Sequence, residues 1–336
     1  MMRDRSRFNA IIILLAGIFI GFYLGFLVDN HLFDLRSIST LNIEIRQGQK
    51  SLINPLLECN DNEQIGQKEF GNLEAKLMAY IDKKIKANAA SHISIYFRDL
   101  NNGPWIGINE REKFSPASLL KLPLMISYYK EAEDDPKILD RELKFNASEE
   151  AEIKGVTQTI TPGQALDTDH KYSVDELIKR MIVYSDNKAW TVLIENLSVD
   201  KLYETLSDIG FSLKDDNFDG DFISVKDYAA FFRLLYNASY LSRSYSEKAL
   251  ENLTEVKYTD GLVSKLPKSI KVAHKFGERE LKDSKQLHDC GIVYYPNHPY
   301  LICLMTRGSI TSDLQTVIQD ISELTYKMVD LRYRGK

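Results

Sequence analysis

Cysteine is scarce in this sequence, and its placement excludes two kinds of small scaffold. The 336 residues include three cysteines, Cys59, Cys290 and Cys303, and no pair has Cys-x-x-Cys spacing. This pattern excludes a disulfide framework and a structural zinc site. Cys290 and Cys303 fall on neighbouring predicted strands, where we expect two buried, small apolar side chains rather than a bridge.

The sequence also has no excess of positive charge, and its histidines lack the spacing typical of zinc enzymes. Lys and Arg number 43 against 48 Asp and Glu, an acidic balance that excludes nucleic acid as the expected partner. The six histidines show no His-Glu-x-x-His spacing, and Gly-x-Ser-x-Gly is absent from the sequence. We therefore expect no metal, no cofactor and no α/β-hydrolase triad. With 44% hydrophobic and 27% charged residues, the chain has a globular composition.

One long uncharged run occurs near the start of the chain. Residues 10–28 contain no charge, and three arginines precede them. At about 1.5 Å per residue the run spans roughly 28 Å, the thickness of a bilayer core. The positive-inside rule predicts that residues 1–9 are cytoplasmic and that the rest is extracytoplasmic. A cleaved signal peptide is the alternative, but Leu27-Val28-Asp29-Asn30 is a poor cleavage site, so we expect an uncleaved, single-pass anchor in the cell membrane.

The segments around this run differ in character. Gly17, Gly21 and Gly25 share one helix face, which would allow two anchors to associate closely, although membrane helices also tolerate glycine without such a role. Residues 29–70 have weak periodicity and are interpreted as a stalk or linker. Residues 71–336 form the main domain.

The pattern of residues 71–336 predicts an α/β body with two lobes. Apolar spacing predicts a helix over 71–87, a capping box begins a helix at Ser173, and Ser312 is expected to cap the last helix. Residues from 118 to about 253 are mostly helical in pattern, and the predicted strands are 92–98, 104–109, 270–276, 287–295 and 300–306. This order predicts an antiparallel five-stranded sheet flanked by terminal helices, with a helical lobe inserted. A cleft between the lobes is the natural site.

Ser118 and Lys121 form the first candidate catalytic pair. A serine hydroxyl needs a base within hydrogen-bond reach, and residues three apart share a helix face. A buried lysine can lose its proton and act as that base. About one Ser-x-x-Lys is expected by chance in such a chain, and Ser127/Lys130 and Ser185/Lys188 match as well. Ser118 differs because it opens a helix directly after a proline-containing turn.

Two further short motifs carry suitable polar groups. In Ser185-Asp186-Asn187, a second hydroxyl can relay a proton and an amide can bind a substrate amide, although the triplet also suits a plain interhelical turn with an N-cap. In Lys275-Phe276-Gly277, at a strand end, the lysine can bind a carboxylate and the glycine lets the backbone approach a ligand closely. Each motif is weak alone.

The three motifs in this order resemble those of class A β-lactamases and penicillin-binding proteins. The similarity runs from about residue 71 to 332 and includes the flanks FSPASLLKLPL, YSVDELIKRMIVYSDNKAWTVLI, VAHKFGE and HDCGIVYYPNHPYLICLMTRG. The chain is identified as a member of this superfamily, closest to the class A β-lactamase-like proteins. The resemblance implies the superfamily's two-lobed fold.

The resemblance also implies a role for each site residue. Ser118 would attack the carbonyl of a β-lactam or a D-Ala-D-Ala-type peptide, with Lys121 as base and Ser185 as the proton relay. Asn187 would position the substrate amide, and Lys275 would hold its carboxylate. The backbone N–H groups of Ser118 and of Glu278, the residue after Gly277, would form the oxyanion hole.

The sequence departs from class A in two places. The stretch after Ile209-Gly210 has no Glu-x-x-Leu-Asn motif, although Asp215, Asp216, Asp219 and Asp221 are nearby, so fast hydrolysis of an acyl-enzyme is in doubt. Phe276 replaces the usual Thr or Ser, and Glu278 adds a negative charge near the carboxylate position. The substrate therefore need not be a standard penicillin.

Two functions follow from these residues. The first is a membrane-anchored extracytoplasmic serine hydrolase that acts on β-lactams or on the stem peptides of peptidoglycan. The alternative is a non-hydrolysing penicillin-binding sensor or scaffold. His274 alternates with Lys275 along a strand, and we expect it to be a packed strand residue that faces away from the site.

Overall fold

The computed structural model describes residues 70–101, 103–146, 165–209, 220–281 and 284–334. The predicted anchor at residues 10–28 and the stalk at 29–70 lie outside these ranges, apart from Phe70. Across the described part of the chain, no helix is both long enough and apolar enough to cross a bilayer.

The described ranges contain seven strands in two sheets. The strands are β1 His92–Asp99, β2 Trp105–Ile108, β3 Glu142–Lys144, β4 Lys171–Ser173, β5 Val272–Leu281, β6 Ser284–Val293 and β7 Tyr300–Gly308. The main sheet has the order β2-β1-β7-β6-β5, and every neighbouring pair is antiparallel. Consecutive residues along β6 and β7 are buried, which requires that both faces of these central strands are covered.

Eight α-helices and two 3-10 helices occur in the described ranges. The α-helices are α1 Gly71–Lys86, α2 Lys121–Asp134, α3 Val174–Val183, α4 Asn187–Asn196, α5 Val199–Asp208, α6 Val225–Asn237, α7 Arg243–Thr254 and α8 Thr311–Tyr333; the 3-10 helices are Ala117–Leu120 and Pro136–Asp140. Helices α6 and α8 both pack on β6 and β7, and the terminal helices α1 and α8 contact each other.

The five-stranded sheet and its flanking helices confirm the predicted architecture, with local differences. Strand β5 continues past Gly277: Glu278 pairs with Leu287, and Leu281 pairs with Ser284. The polar residues of this stretch therefore do not end the hydrogen-bonded pairing of β5 with β6. Strands β3 and β4 were not predicted because three residues are too few to show a period. Ser173 accepts from the Glu176 N–H as a cap, whereas Ser312 does not cap α8, which has Ile310 at its N-cap.

The expectation that Cys290 and Cys303 remain unbridged was wrong. The β6–β7 register places the two residues directly opposite each other, with their Cα atoms 3.9 Å apart, and they form a disulfide. Directly opposed residues of an antiparallel pair approach closely enough for such a bond. The bridge ties together the two central strands of the sheet.

Candidate active site

Ser118 lies on a short, strained turn between the sheet and the helical lobe. It belongs to the 3-10 helix that precedes α2, and the residue before it, Ala117, has φ +46°. A side chain in this left-handed region costs about 1–2 kcal/mol, so the surrounding contacts must hold the turn. Ser118 is half-buried, while its neighbour Leu119 is fully buried. The hydroxyl therefore stays reachable on an otherwise packed segment.

Lys121 brings the predicted residues of two motifs together. Its Nζ lies 3.1 Å from Ser118 Oγ and 3.1 Å from Ser185 Oγ. It also donates to the backbone oxygen of Ser185 at 2.5 Å and to Asn187 Oδ1 at 2.6 Å. Only 3% of Lys121 is exposed. The lysine thus contacts the nucleophile candidate and the relay candidate at equal distances.

The electrostatics of Lys121 suit a base. Burial lowers its pKa to about 7, and the charges of Asp186 and Glu278 offset part of that effect. A neutral amine has two N–H donors and one lone pair. The two carbonyl oxygens can only accept, so they take the N–H groups and leave the lone pair for one hydroxyl at a time, that of Ser118 or that of Ser185.

The turn Ser185-Asp186-Asn187 caps helix α4 and also places polar groups in the candidate site. Asp186 is the N-cap of α4 and accepts from the N–H groups of Lys188 and Ala189, as a plain interhelical turn would require. Ser185 has φ +54°, which turns its hydroxyl toward the lysines instead of continuing a helix. The structural interpretation of this motif is therefore correct, and its catalytic and substrate-binding roles stay predictions.

Lys275 completes a chain of polar groups. Its Nζ donates to Ser185 Oγ at 3.0 Å and to the backbone oxygen of Phe276 at 2.9 Å. Lys275 is fully buried. Burial, followed by the charge of Lys121, holds the pKa of this amine well below its usual range. Ser185 thus lies between two lysines, where its hydroxyl can accept a proton from one side and donate on the other.

Gly277 allows strand β5 to pack against the segment that carries Ser118. A Cβ at Gly277 would lie 2.9 Å from the backbone oxygen of Pro116 and 2.9 Å from Leu119 Cγ. The backbone at Gly277 therefore lies close to the chain's own 3-10 helix, and its close approach to a ligand stays a prediction. Glu278 follows beside this contact, and its charge acts on both lysines. The oxyanion role of the Ser118 and Glu278 N–H groups stays a prediction.

We expect Gly277→Ala to slow acylation of Ser118 by about 10²-fold, because the backbone of Pro116 must shift and misplace the hydroxyl. The overpacking should also destabilise the fold by about 1–3 kcal/mol. Gly71→Ala is the matched control, since a Cβ there meets nothing within 4 Å. The rate of covalent labelling and a thermal melt measure both effects, and an unchanged rate in the Gly277 variant would contradict this role.

Sequence reasoning missed a set of side chains that hold Ser115, three residues before Ser118. Arg279 donates to Ser115 Oγ at 2.7 Å, and Gln286 Oε1 accepts from the Ser115 N–H at 3.0 Å. Burial lowers the pKa of His288 to about 4, and its neutral ring donates Nε2–H to the Ser115 carbonyl at 3.0 Å. Gln286 and His288 are two apart on β6 and share a face, which was the available signal.

The remaining acidic and histidine candidates have separate partners. Asp221 accepts from Gln286 Nε2 at 2.9 Å and from Arg307 Nη2 at 2.8 Å. Asp215, Asp216 and Asp219 lie outside the described residues. His274 is buried and its Nδ1 lies 2.9 Å from Asp289 Oδ1, as expected of a packed strand histidine.

Comparisons with known proteins give the family of the chain and agree with its fold. The model of the β-lactamase enzyme family matches residues 75–329. Among curated proteins, no sequence matches the chain significantly. Solved structures with a similar fold include PBP-A (19% identity, TM-score 0.65, covering 77% of this chain and 96% of that chain). A β-lactamase from Xanthomonas campestris has 19% identity and a TM-score of 0.65, covering 76% and 98%. A variant of the ancestral class A β-lactamase of Gram-negative bacteria has 20% identity and a TM-score of 0.65, covering 78% and 100%.

Proposed function

The chain belongs to the β-lactamase enzyme family, and on that premise we propose that Ser118 forms an acyl-enzyme with β-lactams or with D-Ala-D-Ala-type peptides. The observation that carries this proposal is the position of Lys121 Nζ, 3.1 Å from both Ser118 Oγ and Ser185 Oγ. A nucleophile, a base and a relay hydroxyl within hydrogen-bond reach are what acyl transfer requires.

The reaction follows from these contacts. The neutral amine of Lys121 takes the proton of Ser118 as Oγ bonds to the substrate carbonyl carbon. The C–N bond then breaks, and the proton passes from Lys121 through Ser185 to the leaving nitrogen. The N–H groups of Ser118 and Glu278 would stabilise the oxyanion, a contribution of about 10²–10³-fold for each donor. The proton lost by the serine thus ends on the leaving group.

Slow deacylation is part of the proposal. The segment after Ile209 contains no glutamate before Ser224, and Asp221 is bound to Gln286 and Arg307. The structure of a PBP-A mutant similar to this chain is described as an acyl-enzyme complex with penicillin G. We infer that the acyl-enzyme of this chain also persists. The assembled contacts of Ser118, Lys121 and Ser185 favour an enzyme over a binding module that is never acylated.

The test is to incubate the full chain with a fluorescent penicillin and to follow the covalent label on denaturing gels. We expect a label that forms and decays slowly. A label that forms and disappears quickly would support a β-lactamase with fast turnover. No label, together with no hydrolysis of the penicillin or of a D-Ala-D-Ala peptide, would exclude the enzymatic function.

We also propose that residues 10–28 anchor the protein in the cell membrane, with the family domain outside the cytoplasm. The uncharged run and the three preceding arginines support this orientation. Carbonate-washed membranes should retain the chain, and N-terminal sequencing should find the start of the chain intact. A protein that begins near residue 30 would show cleavage instead.

A further inference from the structure

One face of strand β6 holds the backbone of Ser115, three residues before the candidate nucleophile. Gln286 Oε1 accepts from the Ser115 N–H at 3.0 Å, and His288 Nε2 donates to the Ser115 carbonyl at 3.0 Å. All three residues are buried. A buried backbone group that loses its partner is costly, so these two side chains stabilise the position of Ser115.

The outer partner of Gln286 determines which end of its amide faces Ser115. Asp221 Oδ1 can only accept, and it takes an N–H of Gln286 Nε2 at 2.9 Å. The amide oxygen of Gln286 therefore faces the Ser115 N–H. Arg307 Nη2 donates to Asp221 Oδ2 at 2.8 Å and to the Lys113 carbonyl at 2.9 Å, which holds Asp221 in this orientation.

His288 is oriented in a similar way. The Ser115 carbonyl can only accept, so Nε2 carries the hydrogen of the neutral imidazole. The Phe114 ring meets the imidazole edge to face, with centroids 5.4 Å apart and planes at 74°. The imidazole is thus packed against the residue that directly precedes the one it binds.

The turn after Ser115 transmits its position to Ser118. Pro116 and Ala117 are the two residues between them, and the proline ring fixes one φ angle. Ala117 has φ +46°, a left-handed conformation that persists only where the surrounding contacts hold it. A shift of Ser115 would therefore move the Ser118 hydroxyl relative to Lys121 Nζ, which lies 3.1 Å from it.

We propose that Gln286 and His288 are positioning residues for the acylation of Ser118. They fix the Ser115 backbone and thereby hold the strained turn that presents the Ser118 hydroxyl to Lys121. The inference rests on the proposed function. In that step the bond from Ser118 Oγ to the carbonyl carbon forms, the C–N bond breaks, and the serine proton ends on the leaving nitrogen. Because both side chains are buried and act through the backbone, their loss should slow this step without weakening noncovalent binding of the substrate.

The test compares Gln286→Leu and His288→Leu with the unmodified full chain. Each protein is incubated with a fluorescent penicillin at a series of concentrations, which separates the limiting rate of acylation from the half-saturating concentration. We expect the limiting rate to fall by about 10–10²-fold in each variant, the effect of a misplaced reacting group. The half-saturating concentration should change little. If a leucine variant does not fold, Gln286→Met or His288→Phe, with side chains of similar size, takes its place.

A rescue variant and a control distinguish positioning from general packing. His288→Gln supplies an N–H donor near the place of Nε2 and should restore most of the rate. Thr306→Val is the matched control: the buried Thr306 hydroxyl donates to the carbonyl of Leu287, on the same strand, at 2.7 Å. Its loss should lower the melting temperature and leave the acylation rate unchanged. Thermal melts establish that each variant is folded.

The outcomes separate this inference from the proposed function. If folded Gln286 and His288 variants are acylated at the normal rate, or only their half-saturating concentration rises, the positioning role is wrong while acylation of Ser118 stands. The same conclusion follows if Thr306→Val slows acylation as much as they do, or if His288→Gln restores nothing. If the unmodified chain takes up no label, the proposed function itself fails.

Discussion

Ser118→Ala should abolish the covalent product with β-lactams while the protein stays folded. The hydroxyl oxygen is the atom that becomes part of the ester, so no residual labelling is expected at this site. Ser118 is half-buried, and its hydroxyl contacts Lys121 Nζ at 3.1 Å, so the free energy of unfolding should change by only about 1 kcal/mol. In-gel fluorescence measures the label, and a thermal melt measures the stability.

The matched control for this variant is Ser127→Ala. Ser127 is the first residue of another Ser-x-x-Lys in the same stretch of chain, but its hydroxyl donates to the Pro123 carbonyl at 3.0 Å inside α2. Its removal should leave labelling unchanged. If Ser118→Ala still takes up the label at the normal rate, the nucleophile has been assigned to the wrong residue.

Lys121→Met should slow acylation by about 10²–10⁴-fold, the usual effect of removing a general base. Methionine fills a similar volume, but the oxygens of Ser185 and Asn187 lose their donor, so we expect destabilisation of about 1–3 kcal/mol. Lys130→Met is the control, because Lys130 pairs with Glu133 on the protein surface and should not affect the rate. Stopped-flow or quenched-label kinetics measure the acylation rate.

The pH dependence of the unmodified chain shows whether Lys121 acts as the base. Burial lowers the pKa of this lysine to about 7, and the base is competent only when it is neutral. The acylation rate should therefore rise about tenfold per pH unit below this pKa and level off above it. In Lys121→Met the inflection should disappear. A rate in the unmodified chain that is flat from about pH 5 to 9 would contradict general-base catalysis by Lys121.

The local placement of the motif residues could be predicted because each motif is short. Ser118 and Lys121 are one turn apart, and the capping chemistry of Asp186 follows from its position before a helix. The contact between the first and second motifs was predicted only from the family resemblance, because Lys121 and Ser185 are 64 residues apart in the sequence. Periodicity carries no information about such a contact.

The features that the sequence did not predict depend on register. The Cys290–Cys303 bridge exists because β6 and β7 pair with these residues opposite each other, and a shift by one position would separate them. The hydrogen bonds of Gln286 and His288 to the Ser115 backbone likewise depend on how β6 lies beside the 3-10 helix. Phe276 was recognised as a departure, but its stacking on Tyr258 required the structure.

The most direct measurement is to locate the acyl group. The full chain is incubated with benzylpenicillin, digested, and the modified peptide is sequenced by mass spectrometry. We expect one adduct, with the mass of the whole β-lactam, on the hydroxyl of Ser118. An adduct on a different residue, or an unmodified protein that also leaves the compound intact, would contradict the assignment of Ser118 and Lys121 as nucleophile and base.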